Sequence, residues 1–243
     1  MANPAIDYSK HDHIARITLP GVERDNIINL RLTREVEDIC RGISRDDAIY
    51  VVVISGAGDG TFRSASQEKT NLAAAVAAID RPVIAVIDGE AVGEGLEIAL
   101  SCDIRLASDR ACFGLPQLAS GEIPMNGGTQ RLPRLIGKGK ALELILTGET
   151  IGASNALQIG LISKVVTPES LAGEVEALAQ KVASQGPVSL RFIKEAVNKG
   201  MDLTLEQGLR LEADLYLLLH TTADRTEGIK AFLEKRSPEF KGE

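Results

Sequence analysis

Apolar positions follow two rhythms along the chain. Up to about residue 166, short apolar runs interleave with three- and four-residue spacing; beyond it only the helical spacing remains. His13–Leu19 alternates apolar and polar residues, which predicts a strand closed by Pro20-Gly21. Leu32, Val36, Ile39 and Ile43 predict a helix over Leu30–Ile43. Ile49–Ile54 is a continuous, largely β-branched run, the pattern of a strand covered on both faces. A short Ala-rich helix over Asn71–Ile79 and a strand over Pro82–Ile87 follow. A helix carries Leu96–Leu100, and short strands are expected at Cys102–Ala107 and Ala111–Phe113. Lys140–Leu146 and Ser154–Ile159 read as short helices divided by Gly148 and Gly152.

From Thr167 onward helices alone are predicted. Thr167-Pro168 places a good N-cap before a first-position proline, and Pro187–Asn198 forms the next helix. Thr204-Leu205-Glu206-Gln207 is a capping box opening a Leu-rich helix to about His220. Asp224-Arg225-Thr226-Glu227 reads as a second box, with Pro238 stopping that helix. Interleaving followed by helices alone predicts an α/β core over residues 1–166 and a helical region over 167–243. Leu205, Leu209, Leu211, Leu215, Tyr216 and Leu218 exceed what one core face needs. A buried helix and a subunit interface both fit that surplus.

Charge and composition narrow the function. A net charge of −7 with no Lys/Arg block argues against a nucleic-acid partner. No apolar run reaches the ~18 residues of a membrane span, and the first residues lack a basic, apolar leader. A cytoplasmic protein is the simplest expectation. Cys40, Cys102 and Cys112 form no CxxC pair and read as buried thiols in a reducing compartment. His11, His13 and His220 lie outside every motif and read as structural or exposed. No metal-ligand spacing occurs, so no metal is expected. Gly56-Ala57-Gly58-Asp59-Gly60 lacks the full GxGxxG spacing and a following apolar helix, so it reads as a turn.

The stretch with chemistry in it is 89–105. The strand before it ends at Asp88-Gly89, and Gly93 and Gly95 then flank Glu94 at a helix start. First-turn N–H groups lie outside the helix ladder, and glycines let a ligand approach them closely. Such a site suits a developing negative charge. Glu97 lies in the same turn; a glutamate there also suits the helix macrodipole without any chemistry.

Residues 82–107, PVIAVIDGEAVGEGLEIALSCDIRLA, resemble the signature of the crotonase superfamily, the enoyl-CoA hydratase/isomerase family. Asn26-Ile27-Ile28-Asn29-Leu30 resembles its early Asn-rich turn. Residues 113–135, FGLPQLASGEIPMNGGTQRLPRL, resemble its second signature, and 224–242 its C-terminal helix and tail. The resemblance implies an α/β spiral of ββα units with a C-terminal helical trimerisation region, assembled as a homotrimer or a dimer of trimers. It implies an acyl-CoA substrate and no cofactor. The backbone N–H groups of Ser66 and Glu94 match the family's oxyanion hole. Glu97 matches the first of two hydratase glutamates; the second falls on Gln117. Arg24, Ser64, Phe232 and Lys235 match positions that meet CoA.

Departures from the family pattern matter as much. An amide at Gln117 can hold a water but cannot exchange a proton at neutral pH. Glu94 stands where Gly is common, and Ala65-Ser66-Gln67 where Gly-Ala-Asp is usual. Glu122 stands where an aliphatic or small residue is usual and is either a substitute acid or a plain surface glutamate; Met125-Asn126 replaces small residues, and Met125 would add bulk beside the reacting carbon. Only nineteen residues separate Phe62 from Pro82, which shortens the cover over the acyl chain. Three readings follow: a hydratase/isomerase-type enzyme using Glu97; another enolate reaction of the superfamily, namely isomerisation, dehydration, or C–C or thioester cleavage; and a non-catalytic acyl-CoA binding protein.

Overall fold

The computed structural model describes residues 6–19, 30–56, 62–63 and 72–243. Two β-sheets and the helices between them build the fold. The first sheet takes β1 (Asp7–His11), β2 (Ile14–Leu19), β3 (Val51–Gly56), β5 (Val83–Ile87), β7 (Ile104–Ser108) and β10 (Lys164–Val166), in that spatial order. The β1–β2 pair is antiparallel and every other pair is parallel. The second, smaller sheet is β4 (Phe62–Arg63), β6 (Glu90–Val92), β8 (Cys112–Gly114) and β9 (Thr150–Gly152). Its first three strands run parallel, and Arg63, Val92 and Gly114 sit side by side at their ends.

The chain visits the sheets alternately. Each visit to the large sheet (β3, β5, β7) is followed by a short strand in the small one (β4, β6, β8). After β4 comes α2 (Leu72–Ala77), after β6 comes α3 (Glu94–Ser101), and after β8 comes a 3-10 turn (Pro116–Ser120). This is the expected spiral of ββα units.

The two-sided burial expected of Ile49–Ile54 has a cause. Val52 and Ile54 face the main core with Ala15, Ile17, Val83 and Ala85. Val51 and Val53 face outward to α7 (Pro168–Ala183), with Leu171, Val175 and Ala179. α1 (Leu30–Arg45) places Val36, Cys40 and Ile43 in the main core, at the predicted helical intervals. Burial pushes the thiols of Cys40 and Cys102 up to about 12, so both are inert.

After α5 (Lys138–Thr147) and α6 (Ala153–Gln158), every element beyond β10 in the described chain is a helix: α7, α8 (Pro187–Gly200), α9 (Leu205–Leu219) and α10 (Ala223–Glu234). The Thr204–Gln207 capping box forms as predicted. Four local expectations change. The N-cap of α10 is Thr222, not Asp224: the Thr222 hydroxyl accepts from Arg225 N. Asp224 is instead buried in the first turn, where its carboxylate accepts from Lys241 N at 2.7 Å and Gly242 N at 2.9 Å. That helix ends before Pro238, at Lys235, whose φ is 54°. At α7 the Thr167 side chain caps no backbone group and lies 3.2 Å from the Ser170 hydroxyl. His13 leaves the strand for a left-handed turn (φ 65°) and stacks on Tyr50. No described helix is long and apolar enough to cross a membrane.

Candidate active site

The site grows from the edge where the small-sheet strands end. β6 stops at Val92, and Gly93 turns the chain into α3 with φ 62° and ψ −128°, a conformation that favours glycine. Gly93 N donates to Gly114 O on β8 at 2.9 Å, which fixes the turn to the sheet. Glu94 is the first residue of α3, and Glu97 lies one turn in. The far end of α3 is anchored by buried Arg105. Its guanidinium donates to the carbonyls of Ala99 (3.2 Å) and Cys102 (2.7 Å), where cationic charge complements the helix dipole.

Glu97 is 2% exposed, a rare state for a carboxylate. The structure shows how this is tolerated. Its Oε1 accepts from two backbone groups, Asn126 N at 2.7 Å and Gly128 N at 2.8 Å. These belong to the turn that opens α4 (Gly128–Ile136), with Gly127 at φ 105° as N-cap. A Cβ on Gly128 would stand 3.1 Å from Glu97 Oε1 and 2.8 Å from Pro124 Cβ, so the close approach uses glycine's missing side chain. One carboxylate oxygen is thus locked, and Oε2 remains on the side of Gln117.

Gln117 arrives from the 3-10 turn after β8, and its Nε2 lies 3.4 Å from Glu97 Oε2. Its Oε1 is buried and meets no hydrogen-bond donor among the described residues. A buried acceptor without a donor is costly unless something else fills the place. The Glu94 side chain does not point away: its Oε1 accepts from Asn126 Nδ2 at 3.2 Å. Burial raises the pKa of Glu97 first, and the neighbouring Glu94 charge raises it further. The two backbone donors and Arg131 oppose this. The net effect is a carboxyl group above its ordinary range, nearer the pH at which general acids and bases work.

Sequence reasoning brought Glu97, Gln117 and Glu94 together, and the structure does so too. Phe232 lies on α10, 83% exposed, and Lys235 at its C-terminal end; neither hydrogen-bonds to this cluster. Ser66, Ser64 and Arg24 lie outside the described residues, as do Asn26–Asn29. Glu122 is exposed, with its backbone N on Gln117 O. Met125 is exposed and lines a groove of about 990 Å3 with Leu100, Arg131 and Ile193. The sequence reading missed α4 and its donors, Asn126 N and Gly128 N. The signal was there: Gly127-Gly128 before Leu132, Leu135 and Ile136 repeats the glycine-then-helix pattern of 93–100.

The family profile for enoyl-CoA hydratase/isomerase matches residues 63–243. The chain belongs to that family. It is 36% identical to the crotonyl-CoA hydratase of Syntrophomonas wolfei, across 99% of both chains. It is 39% identical to the (E)-benzylidenesuccinyl-CoA hydratase of Thauera aromatica, across 95% of this chain and 96% of that one. The crystal structure of an enoyl-CoA hydratase from Bacillus anthracis superposes with a TM-score of 0.93 at 36% identity, covering 99% of this chain and 100% of the other. The crotonase-superfamily resemblance is therefore correct, and so is the fold class. This is an acyl-CoA enzyme of the enoyl-CoA hydratase/isomerase type.

Proposed function

We propose that the enzyme adds water across the C2=C3 bond of an enoyl-CoA thioester with Glu97 as its single acid/base. The observation that carries this is the unequal treatment of the two Glu97 oxygens. Oε1 is held by two backbone N–H groups, while Oε2 faces the Gln117 amide. A carboxylate fixed through one oxygen has the other aimed and ready for proton transfer.

The step balances with one carboxylate. Oε2 takes a proton from water, the hydroxyl oxygen bonds C3, and the π electrons move to the thioester oxygen. Backbone N–H groups of Glu94, at the start of α3, and of Ser66 stabilise that enolate. Protonated Glu97 then returns its proton to C2. Gln117 donates to Oε2 through Nε2, and its buried Oε1 accepts from the same water. The thioester is the substrate, and no separate cofactor enters the scheme. The protein acts in the cytoplasm, and residues 167–243 form its trimer contacts. Phe232, Lys235, Arg24 and Ser64 are proposed CoA contacts.

Gln117 favours one second reading. With no second proton donor, reactions needing a single base and an enolate, such as double-bond isomerisation, suit the site as well as hydration. The test is Glu97→Gln on a panel of enoyl-CoA thioesters. Turnover should fall by ~10²–10⁴-fold while acyl-CoA binding persists. Unchanged turnover on the substrate that wild type uses best would refute the assignment. Binding of the panel by wild type, with no turnover of any member, would favour a non-catalytic binding protein.

A further inference from the structure

We propose that Arg131 is a positioning residue that keeps the Glu97 carboxylate on its two backbone donors by gripping the Asn126–Gly128 turn. This rests on the reading of Glu97 as the acid/base. The turn has an unusual task, because Asn126 N and Gly128 N, two residues apart, must aim at one oxygen. Gly127 between them has φ 105°, a conformation with no strong preference of its own. Something has to hold it.

Arg131 meets the turn with both main chain and side chain. Its N donates to Gly127 O at 2.7 Å, and its Nη1 donates to Asn126 O at 2.7 Å. The guanidinium fills the room left by the missing Gly127 side chain: a Cβ there would stand 2.1 Å from Nη1 and 2.9 Å from Cζ. Asn126 is thus tied at its carbonyl by Arg131 and at its N–H by Glu97. The two groups sit on successive peptide units joined at the Asn126 Cα, so holding the carbonyl fixes the direction in which the N–H points.

Arg131 is half-buried, and no described carboxylate forms an ion pair with it. Burial lowers its pKa, so the position costs stability that no salt bridge returns. What the cation does there is act on Glu97. Among the described residues, the polar side chains facing Glu97 are Glu94 from α3, Arg131 from α4 and neutral Gln117 from the 3-10 turn. Glu94 raises the Glu97 pKa and Arg131 lowers it. Arg131 therefore offsets Glu94 through space and also through the backbone donors it orients.

The experiment follows Glu97 directly, by pH-difference infrared spectroscopy of the protonated-carboxyl band that Glu97→Gln removes. The pH dependence of crotonyl-CoA hydration is measured in parallel. Arg131→Met and Arg131→Gln should move the Glu97 midpoint upward. Below the midpoint the ionised fraction should fall by about tenfold, the lower end of what loss of a near opposite charge does. Kcat at acidic pH should fall by a similar factor, with KM changed less than twofold and the loss recovered at alkaline pH. Arg131→Lys, keeping the charge, should restore most of the wild-type profile. A folded neutral variant with an unmoved midpoint, or with the same loss at every pH, overturns the proposal. If both neutral variants fail to fold, Arg131→Leu carries the test, because it keeps the apolar stem and removes the guanidinium. The same upward shift supports the proposal and an unmoved midpoint refutes it. Full turnover by Glu97→Gln would instead defeat the reading of Glu97, leaving the infrared shift to decide Arg131 alone.

Discussion

Replacing Gln117 by Glu tests the proton inventory of the site. The amide nitrogen is 3.4 Å from Glu97 Oε2, so a carboxylate in its place brings two negative charges to about that separation. At an effective dielectric of ~20 their repulsion is about 5 kcal/mol. One pKa unit corresponds to about 1.36 kcal/mol, so even after relaxation absorbs half of this the pair titrates in two separate steps. Between the steps it holds one proton: one member is then a base for water and the other an acid for C2. General acid catalysis is worth ~10²–10⁴-fold, so crotonyl-CoA hydration should rise towards that range in Gln117→Glu. The gain shrinks if the exposed Met125 side chain crowds the water. Stability changes with a definite sign. The folded pair binds more protons than the unfolded chain, because repulsion and burial raise its upper step. Stability is therefore intact below the unfolded glutamate pKa and falls as pH rises through the folded one. The assay is hydration rate from pH 6 to 9 for both proteins, with thermal melts across the same range. Equal rates, brisk hydration by wild type, or a single titration step in the variant would each refute the reasoning.

Gly128→Ala should disable the site through packing: its methyl would press on Glu97 Oε1 and Pro124, costing about 1–3 kcal/mol in thermal stability and most of the turnover. Wild-type stability and rate in Gly128→Ala would remove the close-approach argument. Light scattering at micromolar concentration should show a trimer or a dimer of trimers. The motive is an apolar surface on α9 in which Leu205 is 79% exposed and Leu209, Tyr216, Leu217 and Leu218 are each more than half exposed; a monomer rejects it. The short 63–81 stretch should admit bulky acyl groups, so a strict preference for crotonyl-CoA over larger thioesters would count against a reduced acyl wall.

Much of this was legible in the sequence because two kinds of signal are local. Continuous apolar runs placed β3 and β5, and period-3.6 spacing placed α1 and, with its capping box, α9, since burial acts on each side chain where it stands. Gly93, before Glu94, marked the helix start because few other residues take its backbone. What stayed hidden depends on distant partners. β1 is polar and exposed along its whole length, so only its pairing with β2 makes it a strand. The Asp224 carboxylate looked like part of a capping box, but the returning chain supplies Lys241 N and Gly242 N, seventeen and eighteen residues away. The donors to Glu97 are main-chain groups at 126 and 128, which no residue type announces.

The level ends of β4, β6 and β8 have a consequence for how such an enzyme diversifies. Arg63, Val92 and Gly114 leave the small sheet in one row, so three successive connections open on the same rim. One leads to the segment before α2, the next to Gly93 and Glu97, and the third to Gln117. Behind them the large sheet is set by a parallel register that does not involve those connections. Residue type can therefore change at Gln117 while the sheets that carry the chain into α3 keep their register. On the proposed mechanism, proton chemistry at the rim is then adjustable without rebuilding the frame.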